Sequence, residues 1–347
     1  MIISAVVIVG YTALGGFLAA STTDLIQSIV MTIALIIVLV FGVHVAGGLD
    51  NVIANAKDLP GYFSMNATYA LQTNTAAPYG FITKLSTLAW GLGYFGMPHI
   101  LLRFMAINDH NKLKLSRRIA TVWVVISLAV AIFIGVVGLA MTNVGAIEFL
   151  EGSASETIIV EISSLLSCIG IVPALLAGVI LAGILASTMS TADSQLIAAS
   201  SAVSKNIFGI FVDINNEPKR TMAMARITLL VIAVIAAIIA RNPDSSVFGI
   251  VSFAWAGFGA SFGPVVLFAL FWRRSNRYGA IAGMISGGAM VFIWKYLIKP
   301  MGGIWNIYEL LPAFIVACLF IVVVSLLTEA PSKEITDEFD QVRALKD

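Results

Sequence analysis

Apolar residues in this chain run in long blocks, with the polar ones gathered between them. Blocks of roughly twenty residues, about what a 30 Å hydrocarbon core asks of a helix, recur over 25–47, 84–105, 118–142, 172–204, 221–240, 246–272, 279–298 and 304–328. The pattern predicts eight full membrane spans. A ninth apolar stretch, 2–20, begins in mid-hydrophobic sequence and is interrupted by Gly10, Gly15 and Gly16, so it reads as the tail of a span cut short. No basic segment precedes it and no small-residue cleavage pattern follows, which argues against a signal peptide. The expected organisation is a transmembrane domain over 1–328 and a largely polar tail over 329–347.

Two blocks carry helix breakers. "AWGLGYFGMPHI" (89–100) holds Gly91, Gly93, Gly96 and Pro98, and "WAGFGASFGPVV" (255–266) holds Gly257, Gly259, Gly263 and Pro264. Small residues let membrane helices pack closely, and that alone accounts for many such clusters. The other reading is a discontinuous helix, whose freed backbone groups the membrane tolerates only beside protein or water and which marks transport sites. Channel pore loops use the same device. Trp90 and Tyr94, four apart beside the expected break at Pro98, share a helical face. They form either ordinary core packing or an aromatic shelf for a small zwitterion.

A third feature lies at the end of the 172–204 block, in "ASTMSTADSQ" (186–195). Ser187, Ser190, Thr191 and Ser194 fall within an arc of roughly 100° on a helix, and Asp193 points off that stripe. Single hydroxyls in membrane helices usually bond the carbonyl one turn back. A cluster of neutral oxygens also suits a monovalent hard cation that must be released in every cycle, whereas calcium would draw carboxylates. Asp193 and Asp24 are costly inside a membrane unless they face water or a partner. Both are candidates for an ion exit path; Asp24, expected where the first stretch turns into the next span, can also be read as an exposed helix N-terminal acid.

Composition supports this picture and narrows it. The chain has 347 residues, 59% hydrophobic and 11% charged, with mean hydropathy +0.97, the profile of an integral membrane protein. Arg103, Lys112, Lys114, Arg117, Arg118, Lys205, Lys219, Arg220, Arg273, Arg274, Arg277, Lys333, Arg343 and Lys346 lie on one alternating set of loops. Only Lys57, Lys84, Arg241, Lys295 and Lys299 lie on the other. The first set is predicted to be cytoplasmic, with the C-terminus inside. A net charge of +1 gives no reason to expect nucleic acid. Cys168 and Cys318 read as small core residues, His44, His99 and His110 do not cluster as metal ligands, and no nucleophile elbow or phosphate loop is present, so no enzyme is expected.

These segments resemble the sodium:solute symporter family, and within it the sodium/proline symporters. The likeness is carried by "WGLGYFGMPHILLRFMAIND" (90–109), "GILASTMSTADSQLIAASSAVSKNIF" (183–208) and "VSFAWAGFGASFGPVVLFALFWRRSNRYGAIAGMISG" (251–287), with "GGFLAASTTDLIQ" (15–27) and "IYELLPAF" (307–314). The resemblance implies an all-α integral membrane protein with the LeuT-like inverted-repeat fold, aligned so that the first core helices fall before Met1. It implies sodium-coupled import of L-proline across a prokaryotic plasma membrane. By the same carry-over, Ser190 and Thr191 offer hydroxyl ligands to sodium and Ser187 a carbonyl. Trp90, Tyr94 and Pro98 shape the substrate pocket, and Asp24 handles sodium. Met97 departs from the Gln common in close relatives, which leaves the substrate open to another small amino acid or a carboxylate. A proline-sensing membrane module and a transport-dead fragment are the rival expectations.

Overall fold

The computed structural model describes residues 2–70, 73–211, 218–240 and 246–344. Arg241 and Lys346 of the topology argument, and the last residues of the tail, lie outside the described residues. In chain order the helices are α1 (Ile2–Val45), α2 (Leu49–Asp58), α3 (Phe81–Gly93), α4 (Pro98–Met105), α5 (Leu113–Asn143), α6 (Ile158–Ser167), α7 (Ile171–Ser201), α8 (Phe208–Phe211), α9 (Pro218–Ile239), α10 (Val247–Phe271), α11 (Arg277–Ile293), α12 (Leu310–Leu327) and α13 (Lys333–Ala344). Two strands, β1 (Ala67–Ala70) and β2 (Thr75–Pro78), pair between α2 and α3. Among the described residues seven helices are long and apolar enough to cross a membrane, which makes this a multi-pass membrane protein.

Where eight full spans and a short ninth were expected, the structure differs at two places. The 84–105 block is split into α3 and α4, so neither half is a full span. The 2–20 and 25–47 blocks are one helical element, α1, broken at Gly16. Gly16 adopts φ 63° and ψ −158°, a conformation that a residue with a Cβ rarely takes. The turn is therefore at Gly16 and not near Asp24. The polar run Ser21–Asp24 stays helical because Thr22 Oγ1 donates to the Leu18 carbonyl (2.9 Å) and Thr23 Oγ1 to that of Ala19 (3.0 Å).

The helices fall into two compact units. One contains α1, α2 and α5–α9; the other contains α3, α4 and α10–α13. In the first, Val38, Val137, Met141, Ile162 and Ile180 form a core that is closed to solvent. Close approach depends on glycine: a Cβ on Gly183 of α7 would collide with Ala34 of α1, and one on Gly42 would come within 2.7 Å of Val137. In the second unit, Gly279, Gly283 and Gly287 make a bare ridge along α11 at four-residue spacing. Ser325 and Ile321 of α12 press on its first two positions, and Ala260 of α10 presses on the third. Polar caps fix the starts of two of these helices. Ser246 Oγ accepts the Gly249 amide at α10, and Asn276 Oδ1 accepts the Gly279 amide at α11.

Candidate functional site

In the second unit the chain breaks between α3 and α4. After Gly93 it tightens into a short 3₁₀ turn, Tyr94–Gly96, then passes through an extended Met97 (φ −79°, ψ 111°) before α4 starts on Pro98. Pro98 occupies the first helical position, where a missing amide costs nothing, and its ring disfavours a helical conformation for Met97. The second expected break, at 255–266, is not a break. Pro264 lies inside α10, which is continuous from Val247 to Phe271.

The two glycine-rich segments pack on each other. A Cβ on Gly259 would lie 2.7 Å from the Gly93 Cα, and one on Gly96 would strike the Phe258 carbonyl and lie within 2.9 Å of Gly263 N. Around this contact stands an aromatic stack. Trp90 lies parallel to Trp255 (5.4 Å between centroids), Phe248 (5.5 Å) and Tyr308 (6.0 Å), and Tyr94 meets Trp255 edge-on at 4.8 Å. Hydrogen bonds hold the stack in place. Trp255 Nε1 donates to the Trp90 carbonyl (2.9 Å), Tyr308 OH to the Ser252 carbonyl (2.6 Å), and the Tyr308 amide to Ser86 Oγ (2.9 Å). Trp90 and Tyr94 are thus brought together through Trp255, a residue the sequence reading did not single out. Tyr94 keeps 48% of its surface exposed, while Met97 is buried at 4%.

In the first unit the hydroxyl-rich stretch 187–194, in the second half of α7, bonds back onto its own helix. The Ser187 carbonyl accepts both Ser190 Oγ (3.1 Å) and Thr191 Oγ1 (3.3 Å), and Ser194 Oγ donates to the Ser190 carbonyl (2.9 Å). Both bonds to Ser187 are longer than the usual hydroxyl hydrogen bond, so the three groups nominated for sodium share one weakly bonded oxygen. Asp193 points elsewhere and is fully buried. Its Oδ2 accepts Tyr11 OH at 2.6 Å, and its Oδ1 accepts Ser194 Oγ at 3.2 Å. Tyr11 is the second residue that sequence reasoning missed. The available signal was that a buried membrane carboxylate needs a donor, and Tyr11 and Thr12 are the first side-chain donors of α1 after Ser4. Asp24 lies half-buried in the arm of α1 that follows Gly16.

Comparison with known proteins gives the family and the fold. The profile of the sodium:solute symporter family matches residues 1–287. The chain is 38% identical over 335 residues to the sodium/proline symporter of Salmonella typhimurium, covering 96% of this chain and 63% of that protein. It is 36% identical over 336 residues to the high-affinity proline transporter PutP of Bacillus subtilis, covering 96% and 66%. The chain therefore spans less than two thirds of the length of these relatives. Among solved structures, a Na⁺-coupled sialic acid symporter in a substrate-bound outward-open state superposes with TM-score 0.66 at 15% identity, over 95% of this chain and 66% of that one. The shared architecture is the LeuT-like helical fold read from the sequence. With the family profile matching most of its length, the chain belongs to the sodium:solute symporter family.

Proposed function

We propose that the protein is a sodium-coupled symporter that imports L-proline by alternating access, with sodium as co-transported cargo and no covalent chemistry. The observation that carries this reading is the set of relatives named as proline symporters or transporters, 34–39% identical along 96% or more of the chain. Sodium would be held by the Ser190 and Thr191 hydroxyls and the Ser187 carbonyl. These groups are bonded to one another at 3.1 and 3.3 Å, so the oxygens can turn from each other to an ion at little cost. Neutral ligands hold a monovalent cation and still release it.

Proline would pack against Trp90 and Tyr94 at the break before Pro98, where aromatic faces cover the apolar ring of the solute. Asp193 and Asp24 would mark the way out for sodium, towards a cytoplasmic side assigned by the cation-rich loops. One charge moved through about 100 mV yields roughly 2.3 kcal/mol, and a tenfold sodium gradient adds about 1.4 kcal/mol. Together these sustain accumulation of roughly 500-fold at one sodium per proline. The membrane would be a bacterial plasma membrane, with the C-terminus inside.

Met97 favours a second reading, import of a different small solute. It is buried at the break itself, where the resemblance leads one to expect Gln, and a thioether there removes a hydrogen-bonding group from the pocket's surroundings. Uptake of labelled proline into cells expressing the gene from its own locus, with a panel of competing amino acids and carboxylates, separates the two. Sodium-dependent proline uptake that only proline suppresses supports the first reading, and stronger suppression by another solute supports the second. Uptake indifferent to sodium contradicts both.

A further inference from the structure

A cavity of about 470 Å³ opens in the first unit, at the end that carries Lys205, Lys219 and Arg220. Three elements enclose it: the α1 arm that runs into the Gly16 break, the end of α7, and the first half of α9. Its polar lining includes Thr12, Ser200, Ser201, Ser204, Lys205 and Arg226, and no carboxylate appears among the described residues around it. Two formal positive charges therefore face the pocket, with no carboxylate among its described lining residues.

Arg226 is the unusual member. It sits two turns into α9, a helix apolar enough to span a membrane, where an arginine is expensive unless it has a task. Its Nε donates to the Ala13 carbonyl at 2.9 Å. Ala13 lies just ahead of the Gly16 break, where helical carbonyls lose their in-helix partners. That bond fixes one edge of the guanidinium and leaves the terminal nitrogens for a second acceptor. On the other side, α7 widens into a π-helical turn at Ala202–Ile207, which carries Ser204 and Lys205. Such turns frequently occur at functional sites. The Lys205 ammonium is exposed, and neither it nor the Ser201 hydroxyl has a hydrogen-bond partner among the described residues.

We infer that this cavity binds a phosphate group, held by the Arg226 guanidinium, the Lys205 ammonium and the α7 hydroxyls. A planar fork beside a point charge and hydroxyls suits a phosphate oxyanion, which accepts several charge-assisted bonds at once. Met222 and Leu229 line the same cavity, and α9 continues into exposed Leu230 and Val234. This apolar path suits the acyl chains of an anionic phospholipid whose headgroup fills the pocket; free inorganic phosphate offers the same group without the chains. The inference does not depend on which solute is transported.

The test measures lipid retention by the purified chain in detergent, comparing phosphatidylglycerol with phosphatidylcholine, together with the heating midpoint in millimolar inorganic phosphate. Phosphatidylglycerol should be retained about tenfold better than phosphatidylcholine, and high salt should erase the preference. Lys205→Gln with Arg226→Gln should abolish it. Ser201→Leu fills the cavity with both cations intact and should abolish it too, which guards against a charge variant that merely misfolds. Arg117→Gln with Arg118→Gln removes two cations from elsewhere on the chain and should leave the preference unchanged. If inorganic phosphate raises the midpoint and displaces the lipid, free phosphate is the natural ligand; if only phosphatidylglycerol acts, the lipid is. Equal retention of both lipids with no phosphate effect overturns the inference, as does a preference that survives Ser201→Leu or is lost equally in the Arg117 and Arg118 variant.

Discussion

Residues 89–100 and 255–266 follow the same recipe, three glycines and a proline within eight positions, and fold differently. The first breaks into α3, a 3₁₀ turn and α4; the second runs straight through as α10. Each proline leaves the carbonyl four residues back without a helical partner, that of Tyr94 for Pro98 and that of Ala260 for Pro264, and the two segments answer this differently. Before Pro98 the chain abandons the helix through the Tyr94–Gly96 turn and the extended Met97, and one turn earlier the Trp90 carbonyl accepts Trp255 Nε1. Before Pro264 the helix is kept, and the carbonyl four residues back, that of Ala260, faces the bare Gly287 of α11. The glycines serve neither proline directly. They let the two segments touch backbone to backbone at Gly93 and Gly259.

The comparison can be broken most severely at Gly96. A leucine there must displace the α10 backbone at Phe258 and Gly263, an overpacking that should cost about 3 kcal/mol or more. Loss of a monodisperse, heat-stable peak in detergent is the expected result, and a folded Gly96→Leu protein would contradict the packing described.

The prolines give the next largest effect. Pro98→Ala frees Met97 to become helical and join α3 to α4, and should lower solute uptake more than tenfold. Pro264→Ala changes a helix that is already continuous and should leave uptake within a factor of about three. Kinetics of labelled-solute uptake check the pair.

A milder and opposite result is expected where the glycines have no close neighbour. Gly91 and Gly257 have open space where a Cβ would go, so Gly91→Ala and Gly257→Ala should each raise stability by about 0.5–1 kcal/mol, read as a higher heating midpoint. Lower midpoints would show that these positions are packed after all.

The smallest effect lies beyond the end of α10. Arg273 Nε and Nη2 donate to the Asp340 carboxylate of α13 at 2.8–3.1 Å, and this pairing holds the carboxyl below its ordinary range. The tie is at full strength above the pKa of a free aspartate, about 3.9, and fades as the pH falls through the lowered value. Both side chains are about half exposed, so the contribution is small. Amide protection in 333–344, taken relative to the intrinsic exchange rate at each pH, should be constant near neutrality and fall only in strong acid; a fall already at pH 5 would contradict the pairing.

How much of this was legible in the sequence depended on the range of the interaction. Apolar blocks were legible because a membrane span is set by length and hydropathy alone, and the break at Pro98 because a proline acts on the residue before it. The turn in α1 was misplaced towards Asp24. Polarity does not end a membrane helix when threonines bond back one turn, and the deciding signal was a positive φ at Gly16, one of three glycines in that stretch. The partners of the site residues were out of reach. Tyr11 meets Asp193 across 182 positions and Trp255 meets Trp90 across 165, and no local pattern encodes such pairs. The hydroxyls of α7 were found as a stripe, but their bonds to one carbonyl could be seen only in the folded helix.

The central claim is sodium coupling through Ser187, Ser190 and Thr191 of α7. The direct measurement is the sodium dependence of labelled-proline uptake, compared between the natural protein and Ser190→Ala combined with Thr191→Ala, both expressed from the protein's own locus. The account predicts that the double substitution raises the half-saturating sodium concentration at least about tenfold, two lost ligands at roughly a kcal/mol or more each, with the protein still present in the membrane. Proline uptake with an unchanged sodium requirement would contradict it.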